Sequence, residues 1–224
     1  MNYTDYSSHF GKDRFMACIS HNDYNYKQLD KRKLFLSNLS LNVDNLVIPD
    51  QIHSNNVSII NRSGVYEEVD ALISTNKTYI LSILIADCVP LFLLCTRTNF
   101  SALIHSGWRG AEKNIASTAI NNLKSLGVRS FDIKAVIGPC IKQCCFQVDR
   151  DVAEKFNANY SINSKNSKFM LDLSNVVYDQ LIDCGVSKDS ILLDANCTFC
   201  NKSYFSFRRE GDSAGRMVAL AGWY

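Results

Sequence analysis

Three short segments place a metal-capable side chain among unusual neighbours. They are Gln51-Ile52-His53-Ser54-Asn55, Ala86-Asp87-Cys88-Val89-Pro90 and Ile104-His105-Ser106-Gly107-Trp108-Arg109-Gly110. Zinc accepts imidazole nitrogen and thiolate sulfur in tetrahedral geometry. Three protein ligands leave a fourth position for water or substrate, which is the pattern of a catalytic site. Water on such an ion ionises near pH 7, roughly, so hydroxide is available at neutral pH. Asp87, beside Cys88, suits an outer orienting role or a general base. The ligands are 35 and 17 residues apart and match no local zinc motif. From spacing alone, the pattern favours two partly buried histidines and a small core cysteine.

A second group is cationic. Ser206-Phe207-Arg208-Arg209 is followed by Ala214-Gly215-Arg216, and Arg109 lies upstream. Four guanidinium groups could clamp an oxyanion through paired N–H donors. A solvated face with carboxylate partners such as Glu210 and Asp212 is the other reading. Gly107 and Gly110 at a helix start would let backbone N–H groups meet an anion. Trp108 offers a stacking face for a flat ring.

The chain has nine cysteines. The N-terminus, MNYTDYSSHFGKDRF, lacks the apolar core of a secretory signal, so reduced thiols and a cytoplasmic location are expected. Cys197-Thr198-Phe199-Cys200 is one C-x-x-C, and Cys140, Cys144 and Cys145 form another cluster. A structural zinc module wants two C-x-x-C pairs. Free packed thiols are therefore expected, with Cys140, Cys144 or Cys200 open as a fourth ligand.

The elements that must position these residues mix strands and helices. Tyr79–Ala86 reads as a buried strand, and 91–95 and 100–105 as two more. Ala111, Ile115, Ala119, Leu123 and Leu126 fall on one helical face, ended by Gly127. Residues 132–137 return as a strand. Residues 149–156 and 171–184 look helical, and 190–194, 204–207 and 217–221 look like strands. The Asn/Ser/Lys-rich stretch 157–168 reads as a surface loop. Interleaved strands and helices imply an α/β or α+β layered fold, taken as one domain over 1–224.

Composition narrows the function classes. Of 224 residues, 46% are hydrophobic and 21% charged, which excludes a disordered chain or a fibre. The formal net charge of +2 gives no electrostatic case for nucleic acid or an anionic membrane. The longest apolar stretch, around 80–94, is broken by Ser82, Asp87 and Pro90, so no membrane span is expected.

An ordered set of motifs resembles the laccase-domain family, also described as YfiH-type or multicopper polyphenol oxidase. It comprises Gln51-x-His53, Asp70-Ala71-Leu72, Ala86-Asp87-Cys88-x-Pro90 and His105-x-Gly107-Trp108-Arg109-Gly110. It continues with Gly138-Pro139, Cys145-Phe146-x-Val148, Cys197-Thr198, Ser206-Phe207-Arg208-Arg209 and Gly215-Arg216. The likeness covers about residues 50–220. Ser54 stands where the family usually has Gly, and Phe207 where it usually has Tyr. The short N-terminal segment lacks a Gly-rich stretch, so no site residue is assigned before His53.

The resemblance implies a mixed α/β sandwich, with two sheets between helical layers. It implies zinc on His53, Cys88 and His105. It further implies a purine nucleoside phosphorylase for adenosine, inosine, guanosine and S-methyl-5'-thioadenosine, with adenosine deaminase activity in the same site. Purine nucleoside and phosphate are then the partners, with the chain a monomer or homodimer. Arg109, Arg208, Arg209 and Arg216 would hold phosphate, Trp108 the base, and Asp87 a proton in transit. Copper is the lesser alternative, because only His53 and His105 of four histidines fall in the motifs. A metal-free hydrolase with Cys88 as nucleophile and His105 as base is another. Editing of a cell-wall amino-acyl precursor would be its substrate class. A non-enzymatic zinc-stabilised binding module is a third.

Overall fold

Strands whose two faces are both apolar must be covered on both sides, and that requirement shapes this chain. The computed structural model describes residues 1–224. It contains two six-stranded sheets and a small three-stranded one. In the first large sheet the spatial order is Tyr3–Asp5, Phe15–Ser20, Met217–Trp223, Ile80–Ile85, Leu46–Pro49 and Gly64–Tyr66. In the second it is Ile191–Leu193, Ile133–Ile137, Val89–Cys95, Ser101–Ser106, Ala71–Ser74 and Val57–Ile59. Both mix parallel and antiparallel pairs.

The period-two alternation of side chains sorts each strand between two cores. Leu81, Ile83 and Ile85 of the first sheet meet Phe92, Leu94 and Leu103 of the second in the core between the sheets. Val218 and Leu220 point the other way, onto Phe35 and Leu36 of the helix Leu29–Asn38. On the far face of the second sheet, Leu91, Leu93 and Ile104 pack on Ile115, Ala119 and Leu123 and on Val177 and Leu181. Those last residues belong to the helices Ile115–Ser125 and Leu173–Asp183. The result is the layered sandwich expected from the sequence, helix, sheet, sheet, helix.

Three local expectations change. The helical face from Ala111 to Leu126 is broken into Trp108–Glu112 and Ile115–Ser125. Asn114 sits between them in the left-handed region, at φ +59°, which Asn tolerates better than most residues. The Gln180 side chain donates to the Ala111 carbonyl at the break, at 2.7 Å. Residues 204–207 are a turn, not a strand, leading into the short helix Phe207–Glu210. Ser206 caps that helix by accepting from the Arg209 N–H, a signal the sequence carried. Within the expected loop 157–168, Ser161–Asn163 is a strand that pairs with Phe169–Leu171. No helix is long and apolar enough to cross a membrane.

Candidate active site

Register in the second sheet brings the site together. Pro90 lies opposite His105, so Cys88, two residues before Pro90, falls beside the end of the His105 strand. Ala71 lies opposite Ile104, and the His105 N–H donates to the Asp70 carbonyl at 2.7 Å. Asp70, Cys88 and His105 therefore share one end of the sheet. His53 arrives from the loop after Leu46–Pro49. Gln51 anchors that loop by pairing with a strand backbone as a neighbouring strand would. Its amide donates to the Leu84 carbonyl at 2.9 Å, and its oxygen accepts from the Leu84 N–H at 2.7 Å.

Donor atoms of His53, Cys88 and His105 all lie within 4.8 Å of one another. Cys88 Sγ is 3.9 Å from His53 Nε2. The two imidazoles meet edge to face, with centroids 4.9 Å apart. Two glycines make this approach possible. A Cβ on Gly107 would lie 2.9 Å from His53 Cδ2 and 3.1 Å from Cys88 Sγ. One on Gly110 would lie 2.8 Å from the Ser54 carbonyl. Cys144 and Cys200 gather elsewhere, so neither adds a fourth ligand here.

Asp70 is the residue that sequence reasoning quoted but gave no role. It is fully buried. His105 Nδ1 donates to its Oδ1 at 2.8 Å, which leaves Nε2 as the free ring nitrogen. The same carboxylate accepts from the His53 N–H at 3.1 Å, the Ser54 N–H at 2.6 Å and the Ser54 hydroxyl at 2.8 Å. It thereby holds His53 in the left-handed region, at φ +60°. One carboxylate orients two of the three donors. The available signal was an acidic residue opening the apolar run Ala71–Ile73.

Electrostatics couple Cys88, His105 and Asp70 to one another. Burial works against ionisation of Cys88, but His105 and His53 outweigh it and bring the thiol down to about 6. Burial works against protonation of His105, but Cys88 and Asp70 raise it to about 9. Burial would also raise Asp70, yet the bonds from His105 and Ser54 hold it below the usual carboxylate range. Without a metal, Cys88 and His105 each favour the charged form of the other. A divalent ion would replace the imidazolium proton as the partner of the thiolate. The His₂Cys set, the free Nε2 and the space kept by Gly107 suit such an ion.

These groups open into a cavity of about 1050 Å³. Asp87 lines it at φ +83°. Its Oδ1 accepts from the Thr198 hydroxyl at 2.6 Å, and its Oδ2 from the Arg208 N–H at 2.7 Å. Trp108, Arg109, Arg208 and Arg216 share the walls. Each guanidinium lies against a wall aromatic: Arg109 on Trp108 at 4.3 Å, Arg208 on Phe146 at 5.5 Å and Arg216 on Phe207 at 5.8 Å. None of the three makes an ion pair with a carboxylate.

Arg209 departs from the expected clamp. It lines no part of the cavity. It donates to the carbonyls of Thr198, Phe199 and Tyr204 and pairs with Glu210. It binds its own loops together, and its donors are committed there. The N-terminal segment, from which nothing was assigned, supplies Lys27 and Arg32 to the cavity wall. Arg32 is buried and donates to the Tyr26 carbonyl at 2.7 Å.

A family model described as multi-copper polyphenol oxidoreductase laccase matches residues 13–223. The chain belongs to this laccase family. Among curated relatives, an adenosine deaminase from an unknown prokaryotic organism is 31% identical over 206 residues. That match covers 84% of this chain and 79% of the relative. A purine nucleoside phosphorylase of Clostridium acetobutylicum is 33% identical, covering 80% of this chain and 77% of the relative. One from Aquifex aeolicus is 32% identical, covering 75% and 78%. Of solved structures, the YfiH protein of Bacillus licheniformis superposes with a TM-score of 0.89 at 23% identity, covering 95% of this chain and 94% of its own. YlmD of Geobacillus stearothermophilus gives 0.88 at 22%, covering 94% and 92%. These two matches show a shared fold.

Proposed function

We propose that this laccase-family chain is a zinc-dependent purine nucleoside phosphorylase with adenosine deaminase activity. The substrates would be adenosine, inosine, guanosine and S-methyl-5'-thioadenosine. One observation carries the reading: a His₂Cys cluster opens into the same cavity as three arginines that lack carboxylate partners and lie on aromatic rings. Guanidinium groups without a carboxylate partner suit a phosphate dianion, because their forked N–H donors match its oxygens. Flat apolar faces beside them suit a purine. The curated relatives carry names of both activities.

His53, Cys88 and His105 would hold the ion, which when bound supplies Lewis acidity. Arg109, Arg208 and Arg216 would grip phosphate while one of its oxygens forms a bond to C1′ of the ribose. The C1′–N bond breaks, and the purine leaves with its electron pair and takes up a proton. In deamination, water oxygen adds at C6 and ammonia departs. Asp87 is placed to hold a proton in transit, since each of its bonded oxygens retains a second lone pair. Its bonds from Thr198 and Arg208 fix the direction in which it can accept.

One chromatographic assay tests the reading: protein with adenosine and phosphate, with and without a zinc chelator. Adenine with ribose 1-phosphate is the expected phosphorylase product, and inosine the deaminase product. Adenosine that persists unchanged with zinc-loaded protein would overturn the proposal.

A further inference from the structure

A second gathering of metal donors lies outside the cavity. The sulfurs of Cys144, Cys145, Cys197 and Cys200 all lie within 4.8 Å of one another. Cys145 Sγ is 3.3 Å and Cys144 Sγ 4.0 Å from Cys200 Sγ. All four cysteines are free. A tetrahedral zinc–thiolate centre, with bonds of about 2.3 Å, sets sulfur–sulfur separations of about 3.8 Å. The cluster brackets that separation. The second pair of cysteines missing from the sequence pattern is the adjacent Cys144-Cys145, presented by a turn in which the Lys142 carbonyl accepts from the Cys145 and Phe146 N–H groups.

A backbone donor faces Cys197: the Lys142 N–H points at its sulfur from 3.4 Å. Positive charge stands close by. Arg208 donates to the Cys145 carbonyl, and Arg209 to the carbonyls of Thr198 and Phe199.

We infer that Cys144, Cys145, Cys197 and Cys200 form a closed tetrathiolate site for Zn²⁺, separate from the His₂Cys cluster. Binding is not a redox step. One Zn²⁺ displaces four thiol protons, and the centre carries a net charge of −2. With all four positions taken by protein, the role is to lock one loop to another. The first loop carries Phe146 and the carbonyl on which Arg208 rests. The second carries Thr198, which orients Asp87. The inference does not depend on the nucleoside reading.

The test measures zinc by mass spectrometry on freshly purified reduced protein. Two equivalents per chain are expected, one for each donor group. The Cys144→Ser/Cys200→Ser variant should retain one, and so should His53→Ala. With cobalt in place of zinc, most of the sulfur-to-metal charge-transfer absorption should vanish in the first variant and persist in the second. Alkylation mapping of the unmutated protein stands even if the double variant fails to fold. Cys144 and Cys200 are solvent-exposed, so as free thiols they would react at once. Protection that is lost on adding chelator supports the site. Immediate alkylation of both in untreated zinc-loaded protein overturns it, as do disulfides among the four. A single zinc that disappears in His53→Ala and survives in the double variant overturns it too.

Discussion

Replacing Asp70 by Asn tests the support of the proposed metal site without touching His53, Cys88 or His105. The substitution keeps size and one acceptor oxygen, but turns an N–H₂ group toward donors. At least one of the bonds from His105 Nδ1, His53 N, Ser54 N and Ser54 Oγ is then lost. The bonds from His105 Nδ1 and His53 N share Oδ1, so an N–H₂ group in that place removes both: His105 loses the partner that fixes its tautomer, and His53 loses its hold on a left-handed backbone. Outer partners of this kind change metal affinity by about 10–100-fold, which is ~1.4–2.7 kcal/mol. Competition against a chromophoric chelator should read a loss in that range. Breaking a buried, charge-assisted group costs about 3 kcal/mol at the low end. In a chain of this size that lowers the melting temperature by about 6–12 °C, measured in excess chelator to remove the contribution of bound metal. The sign with pH follows from the lowered Asp70 value. Its stabilisation is complete above the ordinary carboxylate range and fades as pH falls through the lowered value, so the Asn variant should lose that acid dependence. A folded variant that binds zinc within threefold of the parent would refute the orienting role of Asp70.

Further outcomes follow from neighbouring groups. Gly107→Ala should reduce zinc affinity at least about tenfold, because its Cβ must push His53 or Cys88 aside; equilibrium dialysis reads this directly. Arg208→Ala should raise the KM for phosphate while zinc content stays unchanged, and unaltered phosphate kinetics would remove Arg208 from the clamp. Arg209→Ala should act differently, lowering thermal stability by about 2–4 kcal/mol through lost charged hydrogen bonds, as followed by denaturant unfolding. In chelator-stripped protein, Cys88 should alkylate with a midpoint near pH 6, because its thiol lies at about 6. Reactivity then persists at acidities where an ordinary thiol is protonated, and His105→Ala should move the midpoint upward.

Much of the design is readable along the chain. Apolar runs such as 80–85 and 89–95 announce strands buried on both faces, since no polar face interrupts them. The residue types at 53, 88 and 105 are donors that suit a soft cation, although spacing alone leaves them readable as buried core residues. Other features needed the folded chain. Cys88, His105 and Asp70 meet because strand register places Pro90 against His105 and Ala71 against Ile104, and His53 joins them on a loop tied to Leu84 by Gln51. Linear spacing does not encode register between strands. Arg208 and Arg209 are adjacent and chemically alike, yet one faces the cavity and the other is consumed by carbonyls. That distinction depends on which acceptors two distant loops present. The four cysteines met for the same reason: an adjacent pair and a C-x-x-C, 52 residues apart from Cys145 to Cys197, carry no shared spacing. Sequence specified the donors, the cations and the apolar layers. Tertiary structure decided which of them share a site, because hydrogen-bond partners and burial arise only when separate strands and loops come into contact.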